Sequence, residues 1–153
     1  MKEELHIEQI PQEYLAQALA LVDRVFMQFE APDYPPEGTK TFRTFLHDPD
    51  AIAALTFYGA IVDDDLVGVL ATRGNSHIAL FFVEPCFQRQ GVGRALFAAA
   101  RKACVSDVMT VNSSPYAVEI YQKLGFHALS DEQLADGIRF TPMKYTILRE
   151  EAK

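Results

Sequence analysis

Positive charge is in short supply in this sequence. Lysine and arginine number 14 against 21 aspartates and glutamates, a formal net charge of −7. Such a surface repels phosphate backbones and anionic headgroups, so neither nucleic acid nor a membrane surface is expected as a partner. Cysteine is scarce too, with Cys86 and Cys104 the two present. Their spacing fits neither a zinc site nor a CxxC redox pair, which makes a reduced, cytoplasmic protein the simpler expectation. His6, His47 and His127 lack metal-ligand spacing, so no metal is expected. No apolar run approaches the roughly 20 residues of a membrane span. Met1 to Glu8 is too polar for a signal peptide. Repeats, low-complexity tracts and linkers are also missing. A chain of 153 residues, 49% hydrophobic, then reads as one domain over residues 1–153.

Hydrophobic periodicity supplies the outline. Leu5 and Ile7 alternate with polar neighbours and predict a short first strand. Pro11 suits a first helical turn, after which Leu15, Ala18, Leu19, Val22, Val25, Phe26 and Phe29 recur at helical spacing. That helix should stop near Glu30, before Pro32. Prolines and a glycine mark 31–38 as a loop, and a second helix is expected from about Glu37 to His47. Thr56–Val62 and Leu66–Thr72 read as strands joined by a turn at Asp63-Asp64-Asp65. Gly74-Asn75-Ser76 turns the chain into His77–Val83, an apolar run expected to be buried on both faces. A glycine-bearing loop follows, then a helix with Val92, Leu96, Ala99, Ala100, Ala103 and Cys104 as its inner stripe. Asp107–Asn112 is the next strand. Ser114-Pro115 opens a last helix with Ala117, Ile120, Tyr121 and Leu124 on one face, ended by Gly125. A tail strand from about Ile138 to Leu148, paired near Ala128, completes the order βααβββαβαββ. The expected class is α/β, with three strands in a meander before the glycine-bearing loop.

The segment that carries chemistry is Gln88-Arg89-Gln90-Gly91-Val92-Gly93-Arg94, between a buried strand and an amphipathic helix. Glycines let the backbone approach a ligand, and the free N–H groups and dipole of a helix start attract an anion. Arg89 and Arg94 add charge, so the loop reads as a pyrophosphate site. Leu96 stands where the Rossmann fingerprint needs its third glycine, and the Gly-Lys-Ser/Thr ending of a Walker A loop is absent.

The loop instead resembles the acetyl-CoA signature of GNAT superfamily N-acetyltransferases, with Gln88, Gly91 and Gly93 in its fixed places. The resemblance extends from about Tyr58 to Phe126. It takes in Phe81-Phe82-Val83-Glu84-Pro85 and the stretch Asn112 to Phe126, whose Tyr-x-x-x-Gly-Phe ending is distinctive. It implies a GNAT acyl-CoA N-acyltransferase fold, an α/β architecture with a mixed, mostly antiparallel sheet flanked by helices, and transfer of an acetyl group from acetyl-CoA to a primary amine in a ternary complex.

By the same resemblance, Phe82 and Val83 supply backbone groups to the pantetheine arm, and the Val83 N–H faces the acetyl carbonyl. Gln88, Arg89, Gln90, Gly91, Val92, Gly93 and Arg94 hold the pyrophosphate. Asn112 either contacts pantetheine or the acceptor, or caps the strand end. Tyr116 walls the CoA cleft. Tyr121 protonates the departing thiolate, unless it is core packing alone. The base has two candidates: His77, at the position where some members carry a glutamate, and Glu84. A water chain is the third route, and Glu30 and Asp33 are placed to hold a cationic acceptor. A route through Cys86 needs an activating partner that the sequence does not place nearby. A non-catalytic acyl-CoA-binding or regulatory domain is the alternative reading. The acceptor is a small-molecule or peptide amine, and a homodimer is expected only from superfamily habit.

Overall fold

The structure is a computed structural model and describes residues 4–147. Strand β1 (Leu5–Gln9) leads through a 3-10 turn at Gln12–Tyr14 into α1 (Leu15–Phe29). A second 3-10 turn, Ala31–Asp33, precedes α2 (Pro36–Leu46) and α3 (Pro49–Ala53). Then come β2 (Leu55–Val62), β3 (Asp65–Arg73), β4 (His77–Val83), α4 (Val92–Ala103), β5 (Val108–Ser113) and α5 (Val118–Leu124). Strands β6 (His127–Ala128), β7 (Gln133–Ala135) and β8 (Ile138–Thr146) finish the described chain. The predicted tail strand is therefore found, and its expected last residue, Leu148, lies outside the described residues.

Two elements exceed the expected order. The short α3 is capped by Asp48, whose side chain accepts from the N–H groups of Asp50 and Ala51, with Pro49 in the first turn. Strand β7 forms a two-residue hairpin with β8, where Asp136 and Gly137 both take positive φ, as a tight hairpin turn requires. The same rule explains the predicted turn at Asp63 and Asp64, with φ of 50° and 69°.

The strands line up as β1-β2-β3-β4-β5-β8-β6, with β7 added to β8. Every pairing is antiparallel except that of β4 with β5. The mixed, mostly antiparallel sheet thus has helices on both faces. On one face α4 and α5 cover Val67, Leu70, Ile78, Met109 and Val111. On the other α1, α2 and α3 cover Phe57, Val69, Ala71, Leu80 and Phe82. Phe26 of α1 stacks on Phe42 of α2, with ring centroids 3.8 Å apart, and fixes the two helices together.

The inner stripes shift slightly from expectation. Leu21 joins the buried side of α1. On α4, Phe97 is buried and Ala103 is exposed, because the helix turns its last residue away as it ends at Cys104. Strand β4 is not buried evenly. Ile78, Leu80 and Phe82 are buried, whereas His77, Ala79, Phe81 and Val83 are half-buried. The half-buried residues Ala79, Phe81 and Val83 face cavities rather than core. Ile120 is exposed for the same reason: it borders a cleft.

Candidate active site

The site begins with a break in the sheet. Strands β4 and β5 pair only at His77–Thr110 and Ile78–Val111. A register shift then leaves Ala79 as an extra residue opposite β3. Such a bulge bends its strand and increases twist, and here β4 parts from β5 just past it. A cavity of about 470 Å³ occupies the gap.

Backbone direction along β4 follows from alternation. The Glu84 N–H donates to the Val67 carbonyl on the β3 side (2.8 Å). Antiparallel pairing alternates, so Val83, opposite Gly68, turns its N–H and carbonyl toward the gap. Phe81 does likewise. The Phe82 amide is directed at β3, a correction to the expectation that its backbone would face a ligand. Its side chain still lines the gap. The Gln88 amide donates to the Val83 carbonyl (3.0 Å), which shows that this carbonyl points away from β3.

The loop after β4 reaches α4 through Gly91, at φ 85°. A Cβ there would meet nothing within 4 Å, so the glycine answers the backbone angle rather than a lack of room. Arg89 also takes a positive φ, 64°. The first N–H groups of this 12-residue helix are free of intrahelical partners and open on a cavity bordered by Gln88, Arg89, Gly91, Gly93 and Arg94. Lys123 of α5 lines the other side. Three cations thus converge on one slot of an acidic protein, a donor set that fits the phosphates of an acyl-CoA. Gln90 and Val92 do not line it. The Gln90 amide donates to the Cys86 carbonyl (2.8 Å) and ties the loop, while Val92 is buried in the core. Tyr116 borders the cavity, its ring tilted against Phe29 and its hydroxyl 3.4 Å from the Gln88 side-chain oxygen.

A second cavity, about 300 Å³, lies on the α2 side of the gap. The two share Glu30, Phe81, Phe82, Ala117 and Tyr121 as lining residues. Asn112 is exposed and opens on the smaller one.

Two shared residues are ionisable. Tyr121 is buried, with edge contacts to Phe81 and Phe126. Burial, with Glu30 adding to it, holds its phenol protonated well beyond the ordinary range. Glu30, at the end of α1, is pushed up from 4.5 to about 7. Loss of hydration is the main cause; a hydrogen bond from the Ser114 side chain opposes it, and Asp33 adds repulsion.

The structure does not bring His77 or Glu84 to this junction. His77 is at the start of β4, its Nδ1 2.9 Å from the Thr110 hydroxyl, and borders neither cavity. Burial, then Arg73, lowers its pKa. Glu84 is paired with Arg24 and also borders neither cavity. Cys86 is exposed on the loop. Phe81, Lys123 and the shifted acidity of Glu30 are what sequence reasoning missed. The sole local signal for Glu30 was its position where a helix ends ahead of a proline-rich loop.

The family model of the acetyltransferase (GNAT) domain matches residues 30–147. The chain belongs to this family. This GNAT chain also shares its fold with solved structures of low identity. A GCN5-related N-acetyltransferase from Rhodopseudomonas palustris superposes with a TM-score of 0.81 at 23% identity, over 96% of this chain and 99% of that one. The PaiA N-acetyltransferase from Thermoplasma acidophilum, solved with coenzyme A, gives 0.74 at 16% identity, over 94% and 99%. An acetyltransferase of the GNAT family from Staphylococcus aureus gives 0.72 at 12% identity, over 95% and 100%. No curated protein matches the chain. Membership carries the coarse function, acyl transfer from an acyl-CoA. Among the described residues no helix is long and apolar enough to cross a membrane, and no group of three or more metal-binding side chains occurs.

Proposed function

We propose that this GNAT domain transfers an acetyl group from acetyl-CoA directly to a primary amine in a ternary complex. The observation that carries the reading is the meeting of the two cavities at Glu30 and Tyr121. The larger cavity offers the helix start, Arg89, Arg94 and Lys123 to phosphates and the free edge of β4 to an extended arm. The smaller one is left for the acceptor. Bound there, acetyl-CoA supplies the acyl group and the thiol that leaves.

The chain's own groups then divide the proton work. Glu30, pushed up to about 7, takes a proton from the amine at neutral pH. The Val83 N–H donates toward the acyl oxygen, where charge builds as the nitrogen–carbon bond forms. Tyr121 gives its hydroxyl proton to sulfur as the carbon–sulfur bond breaks, and the proton that Glu30 took from the amine restores the phenol. Glu30 in this role replaces His77 and Glu84, neither of which reaches the junction. The chain works as one domain in solution, in the cytoplasm.

The test is release of free thiol from acetyl-CoA across a panel of amines, with Tyr121→Phe alongside. Turnover should fall on the order of 10²–10⁴-fold in the variant while acetyl-CoA affinity holds. The wild-type kcat/KM should rise through about pH 7 as Glu30 deprotonates. Acetyl-CoA binding without thiol release from any amine would favour the non-catalytic acyl-CoA-binding domain.

A further inference from the structure

The smaller cavity has a composition that selects its guest. Its wall includes the rings of Tyr34, Phe42, Phe45, Phe81, Phe82 and Tyr121. Ile78, Val111 and Ile138 add apolar surface, and Thr41, Asn112 and Ser114 are the uncharged polar residues of the wall. Among the described lining residues, Glu30 is the sole carboxylate, and no lysine, arginine or histidine is present. Several of these rings pack on one another. Phe42 stacks on Phe26 and sits 6.0 Å from Phe82, while Phe81 meets Tyr121 edge-on at 5.9 Å.

Charge beyond the wall points the same way. Asp33 repels Glu30, and Asp33 and Glu132 both act on Tyr34. Arg139, a cation that also acts on Tyr34, is already committed: it forms an ion pair with Glu132 and donates to the Asp33 carbonyl at 3.1 Å. An anionic group on the acceptor would therefore lose hydration and meet no cation in the wall. The single carboxylate matches one ammonium, and aromatic faces favour both a cation and a flat apolar body. At about 300 Å³ the cavity is at the small end of the range for ligand sites, which leaves out an oligosaccharide amine.

Building on the acetyltransferase reading, we infer that the acceptor is a small arylalkylamine: one primary ammonium on a short linker to an apolar ring, with no carboxylate. A free amino acid is rejected by its carboxylate, a polyamine by its second and third cations, which find no further acid in the wall.

The experiment compares 2-phenylethylamine with phenylalanine, spermidine and an aminoglycoside. Thiol release gives kcat/KM, and calorimetry with coenzyme A present gives amine binding independently of turnover. Phenylalanine differs from 2-phenylethylamine by its carboxylate alone, so the pair isolates the charge rule. The expected result is a preference of about 100-fold or more for 2-phenylethylamine over phenylalanine, and a similar margin over spermidine. Equal or better turnover of phenylalanine or spermidine would overturn the inference and leave the transferase reading intact. Binding of 2-phenylethylamine with no turnover of any amine would sustain the pocket assignment and sink the transferase reading. A lack of both binding and turnover of 2-phenylethylamine would overturn the assignment.

Discussion

Glu30 gives a stability experiment that needs no substrate. Folding moves its carboxyl from about 4.5 to about 7. At about 1.4 kcal/mol per tenfold change in acidity, that is a ceiling of about 3 kcal/mol in lost stability once the group is ionised. The folded state holds the proton more tightly, so between these two values it binds more protons than the unfolded chain. Stability must then decline as pH rises from about 4.5 to about 7 and level off above. Glu30→Gln keeps the shape and an acceptor for the Ser114 hydroxyl, but removes the charge. Urea titrations at pH 5 and pH 8.5 should show the variant gaining about 2–3 kcal/mol on the wild type between the two conditions. The same variant should lose thiol release. A stability difference that is equal at both pH values would refute the claim that Glu30 titrates near 7 because of its surroundings.

Backbone geometry makes two further predictions. Gly91→Ala forces a side chain onto φ 85° in open space, so it should cost about 1 kcal/mol in urea unfolding. Its methyl group also intrudes on the phosphate cradle, and calorimetry should show weaker acetyl-CoA binding. Gly38→Ala pushes a Cβ into the Gly137 backbone and to 3.0 Å from the Tyr34 Cβ. Stability should drop by about 1–3 kcal/mol, since no flexible side chain is available to yield.

Much of the architecture was legible because it rests on local chemistry. Asp63-Asp64 and Gly74-Asn75 form the turns their residue types favour, and Gly125 ends α5 at φ 113°. Signals for the missed elements were also local. Asp48-Pro49 is a cap and first turn, and Asp136-Gly137 is a hairpin turn. Both were overlooked because the elements they bound, of five and three residues, are too short to show a period. The phosphate loop was readable for the same reason: its chemistry is contiguous. The junction was not. Glu30 meets Ser114 and Tyr121 across more than eighty residues of chain, and no spacing rule describes that encounter. The candidacy of His77 depended on a counted distance from Gln88, and the strand places that residue at the closed end of the gap.

The parting of β4 from β5 creates a sheet edge in the middle of the molecule. Free edges invite strangers: any extended strand, including one from another copy, is a template match for unpaired amides. Gln88 meets part of this exposure from within, since its side-chain amide mimics a neighbouring strand at the Val83 carbonyl. The protein therefore carries a one-residue chaperone for its own open seam, and a guest must outcompete it before lying down there. Replacing Gln88 with a residue that has no amide leaves the seam unguarded as well as weakening the loop, so self-association is the hazard to watch for in any variant at that position.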